Sequence, residues 1–146
     1  MGIAALITWV LTAAGGFYML GVWISRGGLR QPRTSHFPPG VVFGHFGLAA
    51  VGLIVWIVYL IADVDALAWT AFALLIPVAA LGFAMLLRWL PSSPVRTAAT
   101  AGGPGAATTE GPAERHLPVA VVAGHGVLAT ATVVLVLLTA LGVGGS

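Results

Sequence analysis

Hydrophobic residues in this chain fall into four long runs with brief polar interruptions. The runs cover residues 3–24, 39–62, 66–90 and 118–143. Each meets or exceeds the ~20 apolar residues that carry an α-helix across the hydrocarbon of a bilayer. The first ends at Ser25-Arg26-Gly27-Gly28, the second at Asp63 and Asp65, and the third at Pro91-Ser92-Ser93-Pro94. The pattern predicts an all-α integral membrane protein, a four-helix bundle. No basic residue precedes the first run, and its apolar stretch continues past Ala13-Ala14-Gly15-Gly16. It therefore reads as an uncleaved helix rather than a signal peptide. Pro77, inside the third run, removes one backbone donor and marks a place for a kink. Residues 91–115, rich in Pro, Gly, Ala, Ser and Thr, read as a flexible linker.

Laid against itself, the pattern repeats. His36-Phe-Pro-Pro-Gly-Val-Val-Phe-Gly-His45-Phe-Gly-Leu-Ala49 aligns without gaps to His116-Leu-Pro-Val-Ala-Val-Val-Ala-Gly-His125-Gly-Val-Leu-Ala129, with eight of fourteen positions identical. Upstream, Gly16-Phe-Tyr-Met-Leu20 corresponds to Gly82-Phe-Ala-Met-Leu86. The expected architecture is thus a single transmembrane domain built as a tandem repeat of one two-helix hairpin, residues 1–65 and 66–146. Two copies that each cross the membrane twice share an orientation and are related by a pseudo-two-fold axis along the membrane normal.

Charge decides the orientation. All six basic side chains are arginines. Arg26, Arg30 and Arg33 lie between the first and second runs, and Arg88, Arg96 and Arg115 at or in the connection between the third and fourth. The connection between the second and third runs carries only Asp63 and Asp65. The positive-inside rule makes the arginine side cytoplasmic and puts both termini outside. Trp23, Trp69 and Trp89, near run ends, suit the headgroup region. With only 7% charged residues, the chain has the lipid bilayer as its solvent. Its net charge of +2 offers no basic stripe for nucleic acid. The Arg-only, Ala-, Gly- and Val-rich coding suggests a GC-rich, actinobacterial-type genome, hence a bacterial plasma (inner) membrane.

Cysteine is absent, which excludes disulfides, thiolate metal sites and covalently attached haem. No Ser–His–Asp set, Walker loop or His-Glu-x-x-His zinc motif appears. The histidines remain. Pro38, Pro39 and Pro118 suit helix starts, which places His36 and His116 at the cytoplasmic interface. His45 and His125 then fall roughly 10 Å deeper at 1.5 Å per residue. An imidazole at that depth faces a bundle interior and marks function by default. Gly44 and Gly124 precede these histidines and would allow close helix packing or leave room for a flat macrocycle.

His45 and His125 on facing helices resemble the ligand pairs of membrane b-type cytochromes, including the cytochrome b561 class. The resemblance covers only the His-bearing helices. It implies one haem b held between spans two and four, with His45 and His125 as metal ligands and Gly44 and Gly124 beside it; His36 and His116 would either meet its propionates or form a separate surface metal or proton site. That class typically has six spans against four here. The nine-residue separation within each His pair, ~13 Å of rise, favours one haem over two. Three functional classes stay open: a haem-binding electron-transfer protein, a small duplicated-hairpin transporter, and a non-catalytic scaffold in a membrane complex or homo-oligomer. In the last, the buried histidines would only tie helices together. Trp56 and Tyr59 suit either a cofactor bundle or plain packing.

Overall fold

The computed structural model describes residues 1–30, 35–93 and 112–143. Four helices fill most of it: α1 (Gly2–Ser25), α2 (Pro39–Ala62), α3 (Asp65–Trp89) and α4 (Val119–Ala140). Their 22 to 25 residues correspond to about 33–38 Å of rise, enough to cross a ~30 Å hydrocarbon core. All four are apolar enough to span a membrane. Together they form an all-α, four-helix membrane bundle.

Local chemistry sets the helix ends. Pro38 and Pro118 take extended backbone and act as N-caps. Pro39 occupies the first turn of α2, where its missing N–H leaves no gap in the ladder. Asp63 ends α2 in the left-handed region, φ 52°, with its N–H on the Tyr59 carbonyl, a conformation a short polar side chain tolerates. Asp65 then opens α3 in its first turn and Arg88 sits in its last, each at the favourable end of the helix dipole. At the end of α1, Gly27 turns at φ 88° and Gly28 donates to the Trp23 carbonyl, a glycine-dependent stop. Pro77 lies inside α3, which continues through it.

The up-down order puts Gly2, Asp63 and Asp65 at one end and Arg26, Arg30, Arg88 and Arg115 at the other. Helix α2 packs chiefly on α3, and α1 chiefly on α4. At the Asp end a core of Ala5, Trp9, Trp56, Tyr59, Ala68, Ala71, Leu75 and Val136 closes the bundle. Gly52 gives the Trp9 indole its place there, since a Cβ on Gly52 would sit 3.1 Å from the ring. The Trp56 indole donates to the Gly2 carbonyl at 3.2 Å and stacks obliquely on Tyr59, so both aromatics belong to packing. At the Arg end Trp23, Phe37, Trp89, Ala113 and Leu117 form a second core.

Of the segment 91–115, residues 94–111 lie outside the described part, and with them the reading of a flexible linker. Its two ends are folded: residues 90–92 and 113–116 form short 3-10 turns, and Ser93, Ala113 and Glu114 are buried. Trp23 and Trp89, read from sequence as headgroup anchors, are buried and bonded to protein. Each end of the bundle offers protein partners for an indole, and those won over the interface. Trp69 is the exposed one.

Candidate functional site: two histidines in a membrane cavity

His45 on α2 and His125 on α4 reach the middle of the bundle from opposite sides. Their ring centroids are 6.3 Å apart and their planes are inclined by 53°. Each ring leans on a neighbouring helix by the same device. His45 Nδ1 lies 2.9 Å from the Val78 carbonyl of α3, and His125 Nδ1 lies 2.9 Å from the Thr12 carbonyl of α1. A carbonyl only accepts, so Nδ1 carries the proton and donates. In the neutral ring this leaves the lone pair on Nε2, which has no hydrogen-bond partner among the described residues.

One helical turn beyond each carbonyl stands a glycine. A Cβ on Gly82 would sit 3.1 Å from His45 Cε1, and one on Gly16 would sit 3.2 Å from His125 Cε1. The close approach of ring to backbone depends on both glycines. Thr12 and Gly16 stand to Val78 and Gly82 at the same 66-residue spacing, just as His45 stands to His125 at 80.

The rings line a cavity of about 1460 Å³. Every lining position on α1 has a lining counterpart on α3, 66 residues further on; Trp9 with Leu75 and Trp23 with Trp89 are the outermost pairs. Lining positions of α2, such as Val42, His45 and Ala49, find theirs on α4, 80 residues on, at Val122, His125 and Ala129. Polar groups are few: the two imidazoles, the Trp9, Trp23 and Trp89 indole N–H groups, and the hydroxyls of Thr12, Thr130 and Thr132. All three hydroxyls are committed to backbone carbonyls, Thr12 to Thr8 at 2.7 Å, Thr130 to Gly126 at 2.9 Å and Thr132 to Leu128 at 2.8 Å, and the Trp23 and Trp89 N–H groups donate to Ser35 and Glu114.

The other sequence-derived candidates lie apart from this cavity. Gly44 faces Leu81 at the α2–α3 contact and Gly124 opens onto free space; neither lines the cavity. Gly16 and Gly82 face the rings instead. Both head the matching blocks upstream of the histidines, but it is helix packing that pairs them with the rings. His36 and His116 are exposed and also stand outside the cavity.

His36 belongs to a clasp that sequence reasoning missed. Glu114 is fully buried. Its Oε1 accepts the His36 backbone N–H at 2.7 Å and faces His36 Nδ1 at 2.8 Å, while Oε2 accepts the Ser35 hydroxyl at 2.9 Å. Trp23 Nε1 donates to Ser35 Oγ, and Trp89 Nε1 donates to the Glu114 carbonyl, both at 3.1 Å. The clasp joins the segment before α2 to the segment before α4 across the Arg end of the bundle. A buried carboxylate is tolerable because its oxygens are satisfied.

The donor set limits what the cavity can hold. Among the described residues no group of three or more His, Cys, Asp or Glu side chains converges as a metal site, so a bare ion would find two protein ligands. Haem brings four nitrogens of its own and needs only the two axial positions. An ion with bonds of about 2 Å to each of two imidazole nitrogens holds the ring centroids roughly 6 Å apart, close to the 6.3 Å found. The Nδ1-to-carbonyl bonds are also the usual partners of a metal-ligating imidazole. The ring separation and the Nδ1 partners are thus compatible with an axial pair. Comparison with family models, curated proteins and solved structures finds no match for this chain.

Proposed function

We propose that the chain is a membrane cytochrome-like protein that binds one haem b between α2 and α4, with His45 and His125 as axial ligands, and serves in electron transfer. One observation carries this reading. Two imidazoles in an apolar cavity have their Nδ1 protons taken by carbonyls at 2.9 Å, while their Nε2 lone pairs are uncommitted at a ligand-like ring separation. Haem would supply the redox-active iron. The chain's own residues would set the tautomer, hold the rings at a fixed separation and exclude water. His45 is the seventh residue of α2, so the site sits roughly 9–10 Å from the Arg end. The positive-inside rule puts that end in the cytoplasm and both termini outside.

In this reading the chain is a tandem duplication of one hairpin. The one-to-one correspondence of lining positions and the twin His–carbonyl–glycine settings support it, because the cavity is then built by a pseudo-two-fold axis along the membrane normal.

The test is the absorption spectrum of the detergent-purified protein, oxidised and dithionite-reduced, after expression with ample haem. A Soret band with sharp α and β bands on reduction is expected. A colourless protein that also fails to take up added haemin overturns the proposal. The histidines would then be interhelical ties, which their carbonyl bonds already make them.

A further inference from the structure

The cavity is symmetric inside and asymmetric at its walls. At the Arg end it is closed by Trp23, Phe37, Trp89 and Leu117, all buried, beneath the Glu114 clasp. At the Asp end Trp9, Leu75 and Thr132 close it, buried as well. Between α1 and α2 the Phe17 and Phe46 rings meet edge to face at 4.9 Å, and the remaining lining positions on that side are at most half-exposed. The equivalent seam between α3 and α4 differs. Phe17 and Phe83 are about equally exposed, 56% and 60%, but the position matching Phe46 is Gly126, so no ring stands there to meet Phe83.

The lining also extends outward on that side alone. Ala80, Ala123, Val127 and Val134 border the cavity, whereas their counterparts in the first half do not. Val119, Ala123, Val127, Thr130 and Val134 recur at helical spacing along one face of α4, and all are exposed. The stripe is about 22 Å long.

We infer that the α3–α4 seam at Phe83 and Gly126 is a lateral portal through which the cavity's ligand, a large flat apolar ring system, enters from the bilayer rather than from water. This rests on the reading of the cavity as a ligand site but not on the ligand being haem. Both ends of the bundle are packed shut, and the α1–α2 seam, although its helices touch less than α3 and α4 do, is bridged by the Phe17–Phe46 pair. The remaining opening faces the hydrocarbon, where an apolar ligand already partitions. The loss of one phenylalanine in the second half opens that route without disturbing the histidines.

The chain has no cysteine, so a single introduced thiol can report access. Ala49→Cys places one in the cavity wall. In proteoliposomes of the ligand-free full-length protein, the thiol should react with pyrene maleimide, which enters the bilayer. It should react far more slowly with a charged, membrane-impermeant methanethiosulfonate presented on both faces.

Adding Gly126→Phe should slow the pyrene reaction by at least about tenfold, the rate change that ~1.4 kcal/mol of added barrier produces. A Cβ at Gly126 meets nothing within 4 Å, so a side chain there starts in open space; Gly126→Leu serves if phenylalanine disturbs folding. Gly47→Phe, also facing open space but outside the cavity, should leave the rate unchanged. Unchanged labelling in both Gly126 variants overturns the portal, as does charged reagent reacting as fast as pyrene maleimide. If this labelling pattern holds while haemin fails to bind, the portal stands and the haem reading alone falls.

Discussion

The two inner histidines and the two outer ones occupy matching places in the repeated sequence, yet the structure treats the pairs differently. His45 and His125 have twin settings: a carbonyl at 2.9 Å, a glycine one turn further on, and the same cavity. His36 and His116 do not. His36 is drawn against the buried carboxylate of Glu114, whereas His116 stands exposed just after Glu114 in the chain. The inner pair matches down to the backbone partner, as the proposed shared ligand held from two sides would require. The outer pair does not match, and one of its members belongs to the clasp.

The most damaging test of this contrast is removal of an inner imidazole. His45→Ala and His125→Ala should each abolish the reduced α and β bands, to the same extent, because one axial ligand does not make a bis-imidazole iron. His36→Ala and His116→Ala should leave the spectrum intact. Unequal losses in the inner pair would break the symmetry argument even if haem is present.

A milder perturbation sharpens the same comparison. Gly82→Leu and Gly16→Leu press a side chain onto His45 and His125, where even a Cβ lies 3.1 and 3.2 Å from the ring. Overpacking of this kind costs about 1–3 kcal/mol, and the two variants should weaken haemin uptake similarly in a titration followed at the Soret band. Gly44→Ala and Gly124→Ala should titrate like the parent, since neither new methyl group meets the cavity.

These glycines show what was legible in advance. Long apolar runs and their interruptions located four helices within a few residues, because hydrocarbon thickness dictates length and composition together. The meeting of the inner histidines was legible because both stand at one depth in matching blocks of sequence. Their true neighbours were not. Gly44 and Gly124 drew notice by adjacency in sequence, but one step along a helix is about 100° around it, so neither shares its histidine's face. Gly16 and Gly82 lie on other helices, and pairing them with the rings requires knowing that α2 packs on α3 and α1 on α4. Glu114 was hidden for a similar reason: its partners Ser35 and His36 are 79 and 78 residues away. Nothing in a Gly- and Ala-rich connection signals that one carboxylate will be buried.

The clasp itself should carry stability rather than ligand binding. Glu114→Ala removes three accepted hydrogen bonds and leaves the His36 N–H and Ser35 hydroxyl without their acceptor, a loss of about 2–3 kcal/mol. Thermal unfolding in detergent, followed by circular dichroism, should show the lower midpoint. Arg115→Ala, one residue away and exposed, should stay within ~0.5 kcal/mol of the parent.

The smallest effect separates the outer histidines from each other. The His36 side chain is 60% exposed although its partner is fully buried, so solvent screens the pair, and the exposed half limits its worth to roughly 0.5 kcal/mol. His36→Ala also keeps the backbone N–H that donates to Glu114 at 2.7 Å, so only the side-chain share of the contact is lost. His116→Ala should cost less still. The informative comparison is a double-mutant cycle between His36→Ala and Glu114→Gln. A coupling that persists at high salt would mean that burial of the carboxylate governs the pair; one that vanishes would place it with ordinary surface ion pairs. In the second case the clasp is held by Ser35, the His36 backbone and the two indoles. The histidine at position 36 would then be as dispensable as the one at 116, leaving the inner pair as the two histidines with a proposed role.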